Sequence, residues 1–242
     1  HPSIIGELAV GHLADRTVFL TWLGSLQASL VASHEEILAL IERHRITHAF
    51  LPPTVIYGVL DHPDLAATDF ASLRVCISGG APMPAELREK FIAATGASLV
   101  EGYGLTEASP TISQTRIDDR HQNSTVGRVL PLLEYRLEPL GSHGTTENAG
   151  EEVGELWVRG PNVMKGYFRQ PEATRATLTE DGWLNTGDIA RLDHDDRLYI
   201  VGRSKELIIR SGFNIYPPDV EAVINEHPAV TLTAVVGRQV AG

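Results

Sequence analysis

The alternation of apolar and polar residues predicts a strand, loop, helix and strand in succession in the first half of the chain. The apolar run at residues 73–77 indicates a buried strand, and the glycine-rich stretch at 78–82 indicates a loop. Apolar residues then recur at helical spacing over 84–95, and residues 98–100 indicate the next strand. This order is the βαβ unit of a parallel sheet.

The position of two loops in this unit matters for function. Ligands of open parallel sheets bind beyond the carboxyl ends of the strands. Residues 78–82 and 101–107 both follow predicted strands, so we expect these two segments to share one pocket.

Upstream of this unit, the pattern predicts one more helix and one more strand. Ser33 and Glu36 have the spacing of a capping box, and apolar residues follow at helical intervals, which predicts a helix over 34–44. Residues 47–51 precede two prolines and indicate a short buried strand. Residues 1–32 give no secure pattern.

From about residue 126 the pattern changes to short strands separated by turns. Strands are predicted over 133–137, 154–159, 188–192, 197–201 and 206–209, and a hairpin turn over 193–196. A helix begins near Pro217. The predicted fold is α/β, with a parallel-sheet lobe, a β-rich lobe and the start of a small α+β domain. We expect a partial large domain over 1–202, divided at 125/126, and a small mobile domain over 203–242.

Composition and charge exclude several classes of partner. The chain has 242 residues, with 31 Asp and Glu against 20 Lys and Arg, a net charge of −11. This balance gives no basic footprint for nucleic acid. Apolar runs such as 18–26 are too short to cross a bilayer, so no transmembrane segment is expected. The oligomeric state stays open.

Cysteine usage bears on both location and catalysis. The single cysteine, Cys76, cannot form an internal disulfide and lies in a predicted buried strand. Such usage fits a reducing compartment, so we expect a cytoplasmic protein with Cys76 as a packed core residue.

Three short polar segments carry candidate chemistry: residues 78–82, 103–107 and 186–188. Glycines allow backbone N–H groups and a flat ring to approach closely. Thr106 offers a donor to a phosphate oxygen, Glu107 offers a ligand to a hard cation, and Asp188 offers acceptors to two sugar hydroxyls. Together they indicate a nucleotide site, although each alone is common in ordinary turns.

The order of the motifs is more specific than any one of them. Glu-Gly-Tyr-Gly-Leu-Thr-Glu-Ala lies at 101–108 and Gly-Glu-Leu-Trp-Val-Arg-Gly at 154–160. Trp-Leu-Asn-Thr-Gly-Asp lies at 183–188 and Gly-Arg-Ser-Lys-Glu-Leu-Ile at 202–208. This succession resembles the core motifs of the adenylate-forming acyl-CoA synthetases, and the resemblance extends over about 35–242.

The resemblance implies an AMP-forming acid–thiol ligase. A carboxylate attacks the α-phosphorus of ATP to give an acyl-adenylate and pyrophosphate, and the thiol of coenzyme A then displaces AMP. The implied ligands are a small carboxylic acid, with a fatty or other aliphatic acid as the leading substrate, ATP/AMP, Mg²⁺ and coenzyme A. No covalent protein nucleophile is required, since catalysis rests on positioning and charge neutralisation.

The resemblance also assigns roles in the predicted parallel-sheet lobe. Gly79, Gly80 and Ala81 would line the adenine and acyl pocket. Tyr103 would stack on adenine, and Gly104 would border the acyl group.

Further roles are implied closer to the phosphates, the ribose and the hinge. Thr106 would meet the α-phosphate, Glu107 would bind Mg²⁺, and Asp188 would hold the ribose 2′- and 3′-hydroxyls. Arg203 would reach the ribose, and Lys205 matches the hinge about which the small domain swings. Thr106, Glu107 and Lys205 are therefore the expected catalytic residues.

Two further features depart from the family pattern. Gly212 matches the loop that approaches coenzyme A, but Phe213 stands where many relatives have a second glycine. Residues 1–32 show no phosphate-gripping loop, and the family's late catalytic lysine is expected beyond Gly242.

These departures leave two alternatives beside the coenzyme A ligase. One is a nucleotide-binding fragment incomplete for turnover, and the other is an adenylation domain that acts with a carrier protein. The segment 212–217 resembles the acyl-CoA synthetase branch and favours coenzyme A as the acceptor.

Overall fold

The computed structural model describes residues 19–20, 34–117, 124–140, 152–210, 213–225, 227, 229–230 and 233–238. The predicted cap at Ser33 and nearly all of residues 1–32 lie outside this part of the chain. The chain divides into two compact units. Unit 1 takes in His1–Tyr103 and Gln114–Ser124, and unit 2 takes in Gly104–Ser113 and Thr125–Gly242.

Unit 1 contains a parallel sheet with strands in chain order. Its strands are β1 (Phe19–Leu20), β2 (His48–Phe50), β3 (Val75–Gly79) and β4 (Ser98–Gly104), of which the last residue belongs to unit 2. Each strand after β1 pairs in parallel with the strand before it. β3 and β4 run in register through Gly79 and Gly102, so both strands end at the same edge of the sheet.

Three helices pack on this sheet: α1 (His34–Arg43), α2 (Pro53–Leu60) and α3 (Ala85–Thr95). They contribute to one apolar cluster whose most buried members include Ile41, Ile56 and Phe91. α3 ends at Gly96, which adopts a left-handed conformation (φ 69°) and donates its N–H to the Ile92 carbonyl. β3, α3 and β4 confirm the predicted βαβ unit, and α1 confirms the helix predicted upstream of it.

Unit 2 is rich in antiparallel strands. One sheet has the order β10, β9, β8, β7, formed by Leu198–Arg203, Leu184–Leu192, Glu152–Arg159 and Glu134–Glu138. Two short strands, β5 (Thr111–Gln114) and β6 (Arg128–Val129), precede this sheet in the chain and are not part of it, and the last residue of β5 is assigned to unit 1. Later come α4 (Pro171–Thr177), the hairpin of β11 (Ile208–Arg210) and β12 (Phe213–Ile215), and α5 (Pro217–Asn225).

The structure corrects several predicted bounds. Residues 101–104 are not a loop but the end of β4, because these residues continue the parallel ladder with β3 before the turn. Residues 206–209 do not form one strand, because a 3₁₀ helix over Ser204–Glu206 delays β11 until Ile208. The sequence also gave no sign of α2, α4, β5, β6 and β12.

The α/β class is confirmed, with a parallel sheet followed by antiparallel sheets and helices. The proposed boundary between a large and a small domain at residue 203 remains a prediction. No helix of the described ranges is both long and apolar enough to span a bilayer.

Candidate functional site

The loop after β3 offers exposed backbone in open space. A Cβ at Gly79 would lie 2.9 Å from the Gly102 carbonyl oxygen, so a side chain there would press on β4. Gly80 has φ +84°, which L side chains rarely adopt, and a Cβ there would meet no atom within 4 Å. Gly80 and Ala81 are exposed. Their backbone groups are therefore accessible to a ligand.

A buried ion pair supports the neighbouring end of β4. Arg88 of α3 places Nη1 3.0 Å from Glu101 Oε1, and its Nη2 donates to the Leu99 carbonyl at 3.2 Å. Burial raises the pKa of the Glu101 carboxyl, and the Arg88 charge opposes that rise. The Glu101 N–H donates to Thr115 Oγ1 at 2.8 Å. These contacts fix the strand two residues before Tyr103, which is half-buried.

One buried hydroxyl lies beside the same loop. Ser78 is 1% exposed, and its Oγ has no hydrogen-bond partner among the described residues. It sits opposite Glu101 in the register of β3 and β4.

Unit 2 begins at Gly104, the last residue of β4, where the backbone comes close to the carbonyl group of Pro110. A Cβ on this residue would overlap the Pro110 carbonyl oxygen, which accepts the Leu105 N–H at 2.9 Å. Only glycine permits this approach. Thr106–Ala108 then forms a single 3₁₀ turn, on which Thr106 is exposed.

The segment 162–167 holds this turn from one side. Tyr167 donates its hydroxyl to Glu107 Oε1 at 2.8 Å, and the Met164 N–H donates to the Glu107 carbonyl at 2.7 Å. Asn162 Nδ2 donates to the carbonyls of Ala108 (2.6 Å) and Thr111 (2.9 Å). The hydrogen bond to Glu107 raises the pKa of Tyr167, so the hydroxyl stays a donor at neutral pH.

A second turn in unit 2 places Asp188 within β9. Asn185 Oδ1 accepts the Gly187 N–H at 2.7 Å, and Thr186 Oγ1 accepts the Asp188 N–H at 3.1 Å. Gly187 has φ +71°, which glycine adopts without strain. Asp188 is 8% exposed. The turn thus fixes the backbone immediately before a nearly buried carboxylate.

Asp188 and Arg203, the two residues predicted to contact the ribose, lie next to each other. They are partners in the register of β9 and β10, and Arg203 Nε lies 3.4 Å from Asp188 Oδ1. The Arg203 side chain is 69% exposed, so its guanidinium is open to a ligand. Lys205 follows in the 3₁₀ turn and is exposed, while Gly212 lies outside the described residues.

The predicted residues are thus divided between the units. Gly79, Gly80, Ala81 and Tyr103 belong to unit 1. The remaining described candidates belong to unit 2: Gly104, Thr106, Glu107, Asp188, Arg203 and Lys205.

Glu107 fits a metal that arrives with a substrate. The described residues contain no group of three or more His, Cys, Asp or Glu side chains able to hold a metal ion. Mg²⁺ is usually bound by one or two carboxylates, substrate phosphates and water. A carboxylate such as Glu107, with one oxygen fixed by Tyr167, suits that mode.

Sequence reasoning missed the residues that hold the candidate groups in place. Tyr167 and Asn162 lie beyond any quoted motif. The Glu155 carboxylate accepts hydrogen bonds from Asn185 Nδ2 and the Ser204 hydroxyl, and these three residues lie inside the quoted motifs without an assigned role. For the residues inside a motif, the polar side chain was the available signal, but its partner depends on contacts between segments far apart in the chain.

Comparison with known proteins places these motifs in a family. The sequence profile of the AMP-binding enzyme family matches residues 4–168. The long-chain-fatty-acid–CoA ligase of Bacillus subtilis is 41% identical over 203 residues, covering 84% of this chain and 36% of that ligase. The chain therefore spans about a third of that relative's length.

Two solved structures share this fold. The amide bond synthetase of Marinactinospora thermotolerans has a TM-score of 0.74 and 39% identity, covering 85% of this chain and 41% of the other. The O-succinylbenzoate coenzyme A synthetase of Bacillus subtilis, in complex with AMP, has a TM-score of 0.72 and 33% identity, covering 86% and 41%. The chain belongs to the family of AMP-binding, adenylate-forming enzymes.

Proposed function

We propose that the protein activates a carboxylic acid with ATP, forming an acyl-adenylate, and then transfers the acyl group to coenzyme A. The observation that carries this proposal is the pairing of Asp188 with Arg203 beside an ordered Thr186–Gly187 turn. A nearly buried carboxylate with fixed backbone suits a pair of vicinal hydroxyls, because both hydroxyls donate to the same acceptor group. The exposed guanidinium adds donors for ribose oxygens.

Each candidate residue has a physical task in the first step. The backbone of Gly79, Gly80 and Ala81 would border the adenine and the acyl group, and the Tyr103 ring would stack on the base. Thr106 would donate to the α-phosphate. Glu107 would hold Mg²⁺, which neutralises phosphate charge when bound. These groups orient a carboxylate for in-line attack, and no protein nucleophile takes part.

The second step would use the other end of the chain. Lys205 would mark the hinge at which the backbone rotates between the two half-reactions, and Gly212 would approach the coenzyme A arm. Ser204, directly before Lys205, is hydrogen-bonded to Glu155 of β8. This anchor supports a hinge that starts at Lys205 rather than earlier.

The class of carboxylic acid and the identity of the acyl acceptor are more specific proposals. A fatty acid leads because the ligase of Bacillus subtilis, at 41% identity, is named for long-chain fatty acids. An aromatic acid is the competing substrate, since the synthetase that acts on O-succinylbenzoate is 33% identical. A carrier protein is the alternative acceptor.

The buried lone cysteine fits a reducing compartment, and we propose that the protein is located in the cytoplasm.

ATP–pyrophosphate exchange tests adenylation directly. The chain would be incubated with labelled pyrophosphate, ATP, Mg²⁺ and one acid from a panel of short, medium, long-chain and aromatic carboxylates. We expect exchange with the long-chain acids and none with Glu107→Ala. Exchange with aromatic acids alone would keep adenylation and overturn the fatty-acid assignment.

Absence of exchange has its own meaning. A folded chain that binds AMP but exchanges no pyrophosphate with any acid would favour the alternative of a nucleotide-binding segment incomplete for turnover.

A further inference from the structure

Glu155 of β8 makes two hydrogen bonds, one to each of the two segments that carry the candidate ribose residues. Its Oε2 accepts from Asn185 Nδ2 at 3.1 Å, and its Oε1 accepts from the Ser204 hydroxyl. Asn185 lies three residues before Asp188, and Ser204 lies directly after Arg203. One carboxylate thus touches a neighbour of each residue assigned to the ribose.

The first contact acts on Asp188 through a short chain of hydrogen bonds. Asn185 uses its amide nitrogen for Glu155 and its Oδ1 for the Gly187 N–H, at 2.7 Å. An asparagine amide has only these two ends, so fixing one end fixes the plane and the direction of the other. Because Glu155 accepts, the Oδ1 of Asn185 points towards the turn. The turn then places the backbone of Asp188.

The second contact acts on Arg203. Ser204 is half-buried and opens the 3₁₀ turn after β10, and its bond to Glu155 pins the backbone where the strand ends. Arg203 has an exposed side chain with little packing to hold it, so its placement depends on this backbone and on its 3.4 Å contact with Asp188. Bonds to a charged acceptor are stronger than those between neutral groups.

We propose that Glu155 is the positioning residue of the ribose site. It touches no ligand itself and sets the relative placement of Asp188 and Arg203 from β8, the strand next to that of Asp188. This inference rests on the proposed function, because it supposes that these two residues hold the ribose hydroxyls.

The affected property is discrimination between ribose and a sugar without hydroxyls. A residue that only stabilises the fold would weaken AMP and 2′,3′-dideoxy-AMP equally. A residue that positions Asp188 and Arg203 would weaken AMP selectively, because only AMP carries the hydroxyls. The ratio of the two dissociation constants therefore separates positioning from general stability.

The variants follow from the hydrogen-bond pattern. Glu155→Ala removes both acceptors. Glu155→Gln keeps a carbonyl for Asn185 and turns its amide towards Ser204, whose hydroxyl can accept instead. Ser204→Ala removes one contact with a small change in volume. Glu152→Ala, an exposed glutamate of the same strand, is the matched control.

Calorimetric titration of the 242-residue chain with both nucleotides, with thermal melting as a folding check, tests the proposal. Glu155→Ala should reduce the AMP preference about tenfold, the scale of one hydrogen bond to a charged group. Glu155→Gln and Glu152→Ala should keep most of it, and Ser204→Ala should lose part of it.

The reference variant Asp188→Asn separates a failure of the role of Glu155 from a failure of the ribose assignment. If it loses the preference while Glu155→Ala and Ser204→Ala retain it, the role of Glu155 is overturned and the ribose site stands. If Asp188→Asn retains the preference, the ribose assignment falls and the role of Glu155 with it. If Glu155→Ala does not fold, an unchanged preference in Ser204→Ala overturns the proposal.

Discussion

The candidate groups of the two units are held by different means. In unit 1, the groups at Gly79, Gly80 and Ala81 are backbone atoms at the end of a parallel strand, above an apolar core. In unit 2, the Glu107 carboxylate accepts a hydrogen bond from the distant side chain of Tyr167, and side-chain oxygens of Asn185 and Thr186 accept backbone N–H groups in the turn that carries Asp188. Backbone groups are placed by the fold itself, whereas carboxylates need dedicated partners. Mutations should therefore act mainly on stability in unit 1 and mainly on ligand binding in unit 2.

The largest effect is expected at the buried ion pair of unit 1. Arg88→Met leaves the Glu101 carboxylate buried without its partner, and we expect a loss of about 4 kcal/mol in the free energy of unfolding. Urea denaturation measures it. The double variant Arg88→Met/Glu101→Leu should recover most of the loss, because no charge then stays buried.

The same pair predicts a pH dependence. Burial raises the pKa of Glu101 in the folded state. The folded chain therefore binds a proton at Glu101 more tightly than the unfolded chain does, and this binding stabilises the fold. This stabilisation is fully present below the unfolded pKa and is lost as the pH rises through the raised folded pKa. Glu101→Gln should remove that part of the slope, and an identical pH profile in this variant would contradict the assignment.

The next largest effect is expected at Gly104 in unit 2. This position is an exception in that unit, because a close approach between two backbone segments sets its geometry. Gly104→Ala should cost about 3 kcal/mol of unfolding free energy, because the methyl group would overlap the Pro110 carbonyl oxygen. Gly202→Ala is the matched control in the same unit, since its Cβ would meet nothing closer than 3.8 Å. Equal losses in urea denaturation would refute the role of the close approach.

A smaller effect is expected at Tyr167. Tyr167→Phe removes the hydroxyl that donates to Glu107, and we expect about fivefold weaker ATP binding in the presence of Mg²⁺ with little change in stability. Calorimetric titration measures it. Tyr199→Phe loses a similar bond to Asp193 away from the candidate turn and should leave ATP affinity unchanged. A larger loss in Tyr199→Phe would count against the role of Tyr167.

The smallest effect concerns Cys76. The thiol is fully buried, and burial raises its pKa to about 12. The folded chain should therefore not react with a thiol reagent at pH 8, whereas the chain unfolded in guanidinium should react rapidly. Fast reaction without denaturant would show that the interior of unit 1 opens readily.

The same contrast explains how far the sequence could predict the structure. The strands around residues 75–79 and 98–100 and helix α3 followed from apolar spacing and glycines, because local pattern decides such elements. Helix α2 was missed because its apolar residues are nearly continuous and show little helical periodicity. β4 was predicted too short because Gly102 and Gly104 suggested a loop, although the ladder with β3 continues.

The candidate site shows the same limit. Glu107, Asp188 and Arg203 were recognisable within motifs, and the structure brings the last two together. The bonds from Tyr167 to Glu107 and from Ser204 to Glu155 join residues 60 and 49 positions apart. Each pair joins a strand, loop or turn to a turn far away in the chain. Apolar pattern alone does not determine such long-range contacts.

The function proposed for this chain requires that Asp188 take part in a nucleotide site. Calorimetric titration of AMP into the chain and into Asp188→Ala tests it most directly. We expect measurable AMP binding by the parent chain and an affinity at least about tenfold lower in the variant, because the ribose hydroxyls lose a charged acceptor. Equal AMP affinity in the two folded chains would contradict the account.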